Sequence, residues 1–215
     1  MSEANFDRVA WIYDTLSFLV YGNSIKKAQK YFLNKIISNS EVLIPGGGTG
    51  FILEYLSEMN IPLNITYIDN SSKMIRSSKK RKINKELKVD FILGTESGDT
   101  DKKFDFIITN FFLDLFGEDR LKVVIGRLKN TLKADGKLIV TDFRYTGKGT
   151  VYQRTLSFLM HKFFKVFCNL ESKELKDINS FLLKAGFALE EVRYFKRDFI
   201  FSGVYKLKNS TVASF

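Results

Sequence analysis

Residues 41–56, EVLIPGGGTGFILEYL, constrain this chain more than any other stretch. A short apolar run at 41–45 meets Gly46-Gly47-Gly48-Thr49-Gly50, and a helical pattern follows over 50–59. A strand must therefore hand over to a helix through a tight glycine turn. Glycines there permit positive φ and let the backbone approach a ligand closely, as at the switch point of a doubly wound sheet. A second strand, 64–69 (NITYID), ends in Asp69, 19 residues after Gly50. A carboxylate at that tip can accept hydrogen bonds from both hydroxyls of a ribose. The dinucleotide fingerprint G-x-G-x-x-G would need a small residue at position 51, where Phe51 stands; the spacing here is G-x-G-x-G. Such a turn suits a nucleoside ligand without phosphates. No Gly-Lys-Ser/Thr follows it, which excludes a P-loop.

The rest of the chain continues the alternation. Strands are expected at 88–93, 104–109 and 137–142. Ser71 or Ser72 can cap one helix, and a second over 118–133 should end before a turn at Asp135-Gly136. A helix over 172–185 should close at Gly186, and strands at 187–195 and 199–207 are joined by a short Lys-Arg-Asp connection that implies an antiparallel pair. The expectation is one α/β domain over 1–215: a mostly parallel seven-stranded sheet with an antiparallel strand near one edge and helices on both faces. Within it, 1–38 form a helical cap, 39–145 the ligand-binding core, 146–170 an apolar helix, and 171–207 a helix with a strand hairpin. In 151–168, Leu156, Leu159, Met160, Phe163, Phe164 and Phe167 form a broad apolar stripe. It reads as a core or dimer helix, as a lid over an apolar substrate, or as a helix on a membrane surface with Arg154, Lys162 and Lys165 near lipid headgroups.

Charge and composition narrow the classes. The net charge is +10, and Lys73, Arg76, Lys79, Lys80, Arg81, Lys82, Lys85 and Lys88 crowd one stretch. A solvated helix face explains this best. A nucleic-acid patch is the weaker alternative, because 71–88 hold no aromatic on which bases could stack. The opening MSEANFDRVAWIYD does not read as a signal peptide, and no apolar run reaches the length of a spanning helix. The only cysteine, Cys168, excludes an internal disulfide, reads as buried packing and fits a cytoplasmic setting. His161, the only histidine, lies in the apolar stretch away from the glycine turn and reads as a lid or surface residue. No ligand spacing suggests a metal. Asp142, at the end of the fifth strand, could orient a substrate or cap the next turn. Asp114, after the fourth, reads as a cap.

Several blocks, in order, resemble the class I S-adenosylmethionine-dependent methyltransferases: VLIPGGGTG, YIDNSSKMI, ILGTE (92–96), FDFIITNFFLD (104–114) and LKADGKLIVTDF (132–143). FDRVAWIYD near the start, and FLLKAGF before the last strands, resemble the ubiquinone/menaquinone C-methyltransferases and related small-molecule enzymes. The resemblance implies a Rossmann-like fold and S-adenosylmethionine as cofactor. It implies cofactor contacts from Tyr13, Gly46, Gly47, Gly48, Gly50, Asp69, Asn70, Met74, Thr95, Glu96 and Asn110, with Tyr13 and Asp142 turned toward substrate. It further implies a small, apolar or aromatic methyl acceptor, with peripheral membrane contact compatible. RNA methylation or a non-catalytic cofactor-binding role are the alternatives. Two positions depart from the pattern: Ile44 stands where the first motif usually carries an acid, and Thr95 where the adenine-contacting position often holds Asp.

Overall fold

A computed structural model describes residues 23–95, 102–144 and 176–208. Seven strands form one sheet: β1 (Ser40–Pro45), β2 (Leu63–Asp69), β3 (Leu87–Leu93), β4 (Phe104–Asn110), β5 (Leu132–Phe143), β6 (Phe187–Phe195) and β7 (Ile200–Leu207), in the spatial order β3-β2-β1-β4-β5-β7-β6. β1 to β5 pair in parallel, and β7 runs antiparallel to both β5 and β6. The expected sheet is the observed one, including the antiparallel strand next to an edge.

The central strands are buried almost continuously, as a sheet covered on both faces requires, and successive side chains enter opposite clusters. Val42 and Ile44 enter one apolar cluster with Leu53 and Leu56 of α2 (Phe51–Glu58) and Ile75 of α3 (Ser72–Ser78). Leu43, between them, enters the opposite cluster with Leu121, Val124, Ile125 and Leu128 of α4 (Glu118–Thr131) and Leu182 of α5 (Ile178–Lys184). The other α-helix among the described residues, α1 (Asn23–Lys30), buries Ala28 against Phe111, Phe143, Phe199 and Ile200. Residues 1–22, 96–101 and 145–175 lie outside the described residues, and with them part of the expected helical cap, Tyr13, Glu96, His161, Cys168 and the apolar stripe.

One local reading needs correction. Asp135-Gly136 does not form the turn between α4 and β5. The helix stops at Thr131, and β5 starts at Leu132 and carries both residues within it. The β4 register jumps there, from Phe104↔Leu132 to Phe106↔Lys137, a bulge. A Cβ on Gly136 would sit 2.9 Å from the Phe104 carbonyl oxygen, so the bulge brings two backbones too close for a side chain. Helix ends follow expectation better. The Ser71 hydroxyl accepts from Met74 N–H at 3.2 Å, Asp177 Oδ1 accepts from Ser180 N–H at 3.2 Å, and Gly186 ends α5 with φ +93°.

Candidate active site

The carboxyl ends of β1, β2, β4 and β5 meet at one sheet edge, where ligands bind in open α/β folds. At the end of β2, Asp69 is 7% exposed and held from two sides: Oδ2 accepts from Gly48 N–H at 2.8 Å and Oδ1 from Ser71 N–H at 2.9 Å. A carboxylate has about four acceptor positions. These two bonds fix its plane at the tip of β2.

Each glycine of the turn answers a different neighbour. A Cβ on Gly46 would sit 2.2 Å from the Phe112 ring, one on Gly47 2.1 Å from the Tyr67 ring, and one on Gly50 2.8 Å from the Ser78 backbone. Gly48 differs: a Cβ there would meet nothing within 4 Å among the described residues, yet φ is +67°, and its N–H points to Asp69. Three glycines therefore serve packing, and the fourth presents bare backbone to an open cradle beside the ribose-type carboxylate. The Tyr67 hydroxyl donates to Gly48 O at 2.9 Å, and Arg81 Nε donates to Thr49 O at 2.8 Å while its guanidinium stacks 3.7 Å from the Phe51 ring centroid. The turn is thus held rigid before any ligand arrives, which lowers the ordering cost of binding.

Of the other expected contacts, Asn70 is exposed just beyond Asp69, and Met74 is buried in the first turn of α3. Thr95 is exposed after Gly94, whose N–H donates to Asp69 O at 3.0 Å. Ile44 is 1% exposed inside the α2-side cluster, so the usual strand acid is replaced by a core side chain rather than by another polar group. Asn110 ends β4, and its Oδ1 is buried with no hydrogen-bond partner among the described residues. Phe111 follows with φ +51°, a conformation that side chains disfavour. Its N–H donates to Thr141 O at 2.7 Å and its ring packs 4.7 Å from Phe143.

Sequence reasoning missed how two acids meet at this edge. Asp142 does not open outward: it is 0% exposed. Its Oδ2 accepts from Leu113 N–H at 3.2 Å and Asp114 N–H at 3.3 Å, and its Oδ1 from Phe143 N–H at 2.8 Å. Asp142 is the cap of the single 3₁₀ turn Leu113–Leu115, and the Asp114 side chain instead turns onto Asp142. Burial raises Asp142 well above the usual carboxylate range, and the neighbouring Asp114 charge raises it further. Burial likewise pushes Asp114 up to about 6, against a hydrogen bond from Asp142 and the charge of Lys176. Among the described residues no group of three or more His, Cys, Asp or Glu could hold a metal, and no helix is long and apolar enough to cross a membrane.

Residues 43–138, from β1 into β5, match the methyltransferase domain family. The chain is 30% identical over 153 residues to demethylmenaquinone methyltransferase of Thermotoga maritima. The chain is thus similar to the class I S-adenosylmethionine-dependent methyltransferases. The match to the Thermotoga relative covers 66% of this chain and 64% of the relative, so the chain spans less than two thirds of that protein. Solved methyltransferases share the fold. An S-adenosylmethionine-dependent methyltransferase from Clostridium acetobutylicum superposes with TM-score 0.66 at 16% identity, covering 94% of this chain and 99% of the other. The 1,6-didemethyltoxoflavin-N1-methyltransferase of Burkholderia thailandensis, solved with bound 1,6-didemethyltoxoflavin and S-adenosylhomocysteine, gives 0.66 at 15% identity, covering 94% and 86%.

Proposed function

We propose that this chain transfers the methyl group of S-adenosylmethionine to a small, apolar or aromatic acceptor. The observation that carries this reading is the coupling of Gly48 to Asp69: bare backbone over an open cradle, bonded to a carboxylate oriented for a ribose diol. Asn110 Oδ1, a buried oxygen in want of a donor two strands from Asp69, fits the ammonium end of the same ligand. The turn, Asp69, Asn70, Met74, Thr95 and Asn110 would hold the cofactor, with Tyr13 and Glu96 assigned by resemblance alone. When bound, the sulfonium supplies an activated methyl group. The chain then needs to align an acceptor with it and exclude water.

The small-molecule acceptor is supported by the names of the relatives, one acting on a demethylmenaquinone and one on a didemethyltoxoflavin. Saturating cofactor with a panel of quinols, phenols and nitrogen heterocycles tests it. Release of S-adenosylhomocysteine with one acceptor class is the expected result, and none with any acceptor rejects it. RNA methylation is the second reading. It is favoured by exposed Lys73 and Arg76 of α3, and by exposed Lys80, Lys82, Lys85 and Lys88 beyond it. It requires RNA affinity that falls steeply with salt.

A further inference from the structure

We propose that Asp114, backed by Asp142, is the group that hydrogen-bonds the methyl acceptor and takes its proton. The inference rests on the methyltransferase reading above. One loop connects the two parts of the site: the Phe112 ring lies against Gly46, and the next two residues give their N–H groups to Asp142. Register places the pair beside the cofactor turn. Asn110 of β4 is level with Thr141 of β5, and Asp142 follows. β4 is also the direct neighbour of β1, with Val42 opposite Phe106. Two strand spacings, about 10 Å, therefore separate the glycine turn from the pair.

Three backbone donors fix Asp142, so it acts as a support rather than as a free group. Asp114 is different. Its Oδ1 is buried and has no hydrogen-bond partner among the described residues. An orphaned buried carboxylate oxygen costs stability, and its retention is explained by a ligand that supplies the missing donor. Asn110 Oδ1, at the root of the same loop, lacks a donor too.

The electrostatics suit the task. Two buried carboxyls in contact cannot both ionise, so Asp142 keeps a proton while Asp114 titrates at about 6. Near neutrality Asp114 is then an ionised base of useful strength. Among the described residues, the charged and titratable groups that act on the pair include Lys176, which favours ionised Asp114, and Tyr205 of β7, itself raised by burial and then by the Tyr194, Asp177 and Asp142 charges. In the transfer, the acceptor hydroxyl gives its proton to Asp114 and its electron pair forms the bond to the methyl carbon. The carbon–sulfur bond breaks with its electrons on sulfur, leaving a neutral thioether. For a quinol methylated on carbon, the new bond forms at the ring, and the ring C–H then returns a proton to the carbonyl oxygen.

The test compares the intact chain with Asp114→Asn and Asp114→Glu. Calorimetry with S-adenosylmethionine should give similar affinity for all three; failure of the unaltered chain to bind sinks the methyltransferase reading and is distinguishable on that ground. S-adenosylhomocysteine release with reduced demethylmenaquinone and with simple phenols, followed from pH 5 to 8, should rise on an acid limb near pH 6. Asp114→Asn should lose about 10²-fold in rate together with that limb, and Asp114→Glu should restore part of both. Unchanged rate and limb in Asp114→Asn overturn the proposal. Carbon-13 NMR of the side-chain carboxyls needs no acceptor: one signal should titrate near pH 6 and vanish in Asp114→Asn. No carboxyl titrating above pH 5 also overturns it.

Discussion

Gly47 and Gly48 are neighbours with opposite duties, and substitution should separate them. Alanine at Gly47 drives a methyl group into the Tyr67 ring, so Gly47→Ala should lose about 1–3 kcal/mol in thermal or urea unfolding. Alanine at Gly48 meets no atom of the described residues within 4 Å and bears the strain of positive φ, about 1 kcal/mol, but it fills the cradle. Gly48→Ala should therefore fold and weaken the cofactor far more than its stability loss would suggest. Equal cofactor affinity in unaltered and Gly48→Ala proteins would show that the cradle faces no ligand. Tyr67→Phe removes one donor to Gly48 O and should cost about 1 kcal/mol in the same unfolding assay. At this scale the turn and Asp69 were readable from sequence, because local spacing alone defines them. The Asp114–Asp142 contact was not. Asp142 meets the 113–114 backbone only through the β4–β5 pairing, and no local pattern encodes that register.

Among the elements, the strands were easiest to read, since continuous apolar runs such as VLI and FIIT have few alternatives in a covered parallel sheet. The Asp135-Gly136 error has a physical source. The pair is favourable in turns, but in β5 the same glycine permits the close approach of Phe104 O that a bulge demands. Gly136→Ala should destabilise by about 1–3 kcal/mol without affecting cofactor affinity, which checks that the bulge serves structure and not the site. Helix caps give a second test. Asp177→Ala removes the acceptor for Ser180 N–H at the start of α5 and should cost about 1 kcal/mol, measured by urea unfolding.

For the whole molecule, pH acts in two windows of opposite sign. Asp114 and Asp142 are raised in the folded state, so the native chain holds more protons than the unfolded one above the ordinary carboxylate pKa. The contribution of Asp114 to stability is present at low pH and is lost as pH rises through about 6, and that of Asp142 is lost in the same direction. Asp105 is lowered. Burial alone would raise it, but Lys133 at 2.8 Å and the Glu41 N–H at 2.9 Å outweigh burial. Glu190 is lowered chiefly by Lys137 and also by Lys206. These two contribute above the ordinary carboxylate range and lose their contribution as pH falls below it. Melting temperature should thus rise between pH 7 and 5 more in the unaltered chain than in Asp114→Asn; equal slopes would remove the pair from the balance.

Calorimetric titration with S-adenosylmethionine and S-adenosylhomocysteine, with NAD alongside, bears most directly on the union of Gly48 and Asp69 as a nucleoside site. Binding of the first two, no heat with NAD, and a loss of about 100-fold or more in Asp69→Ala is the expected result, since two charge-assisted hydrogen bonds to the ligand disappear. Undiminished affinity in Asp69→Ala, or preference for NAD, would contradict it.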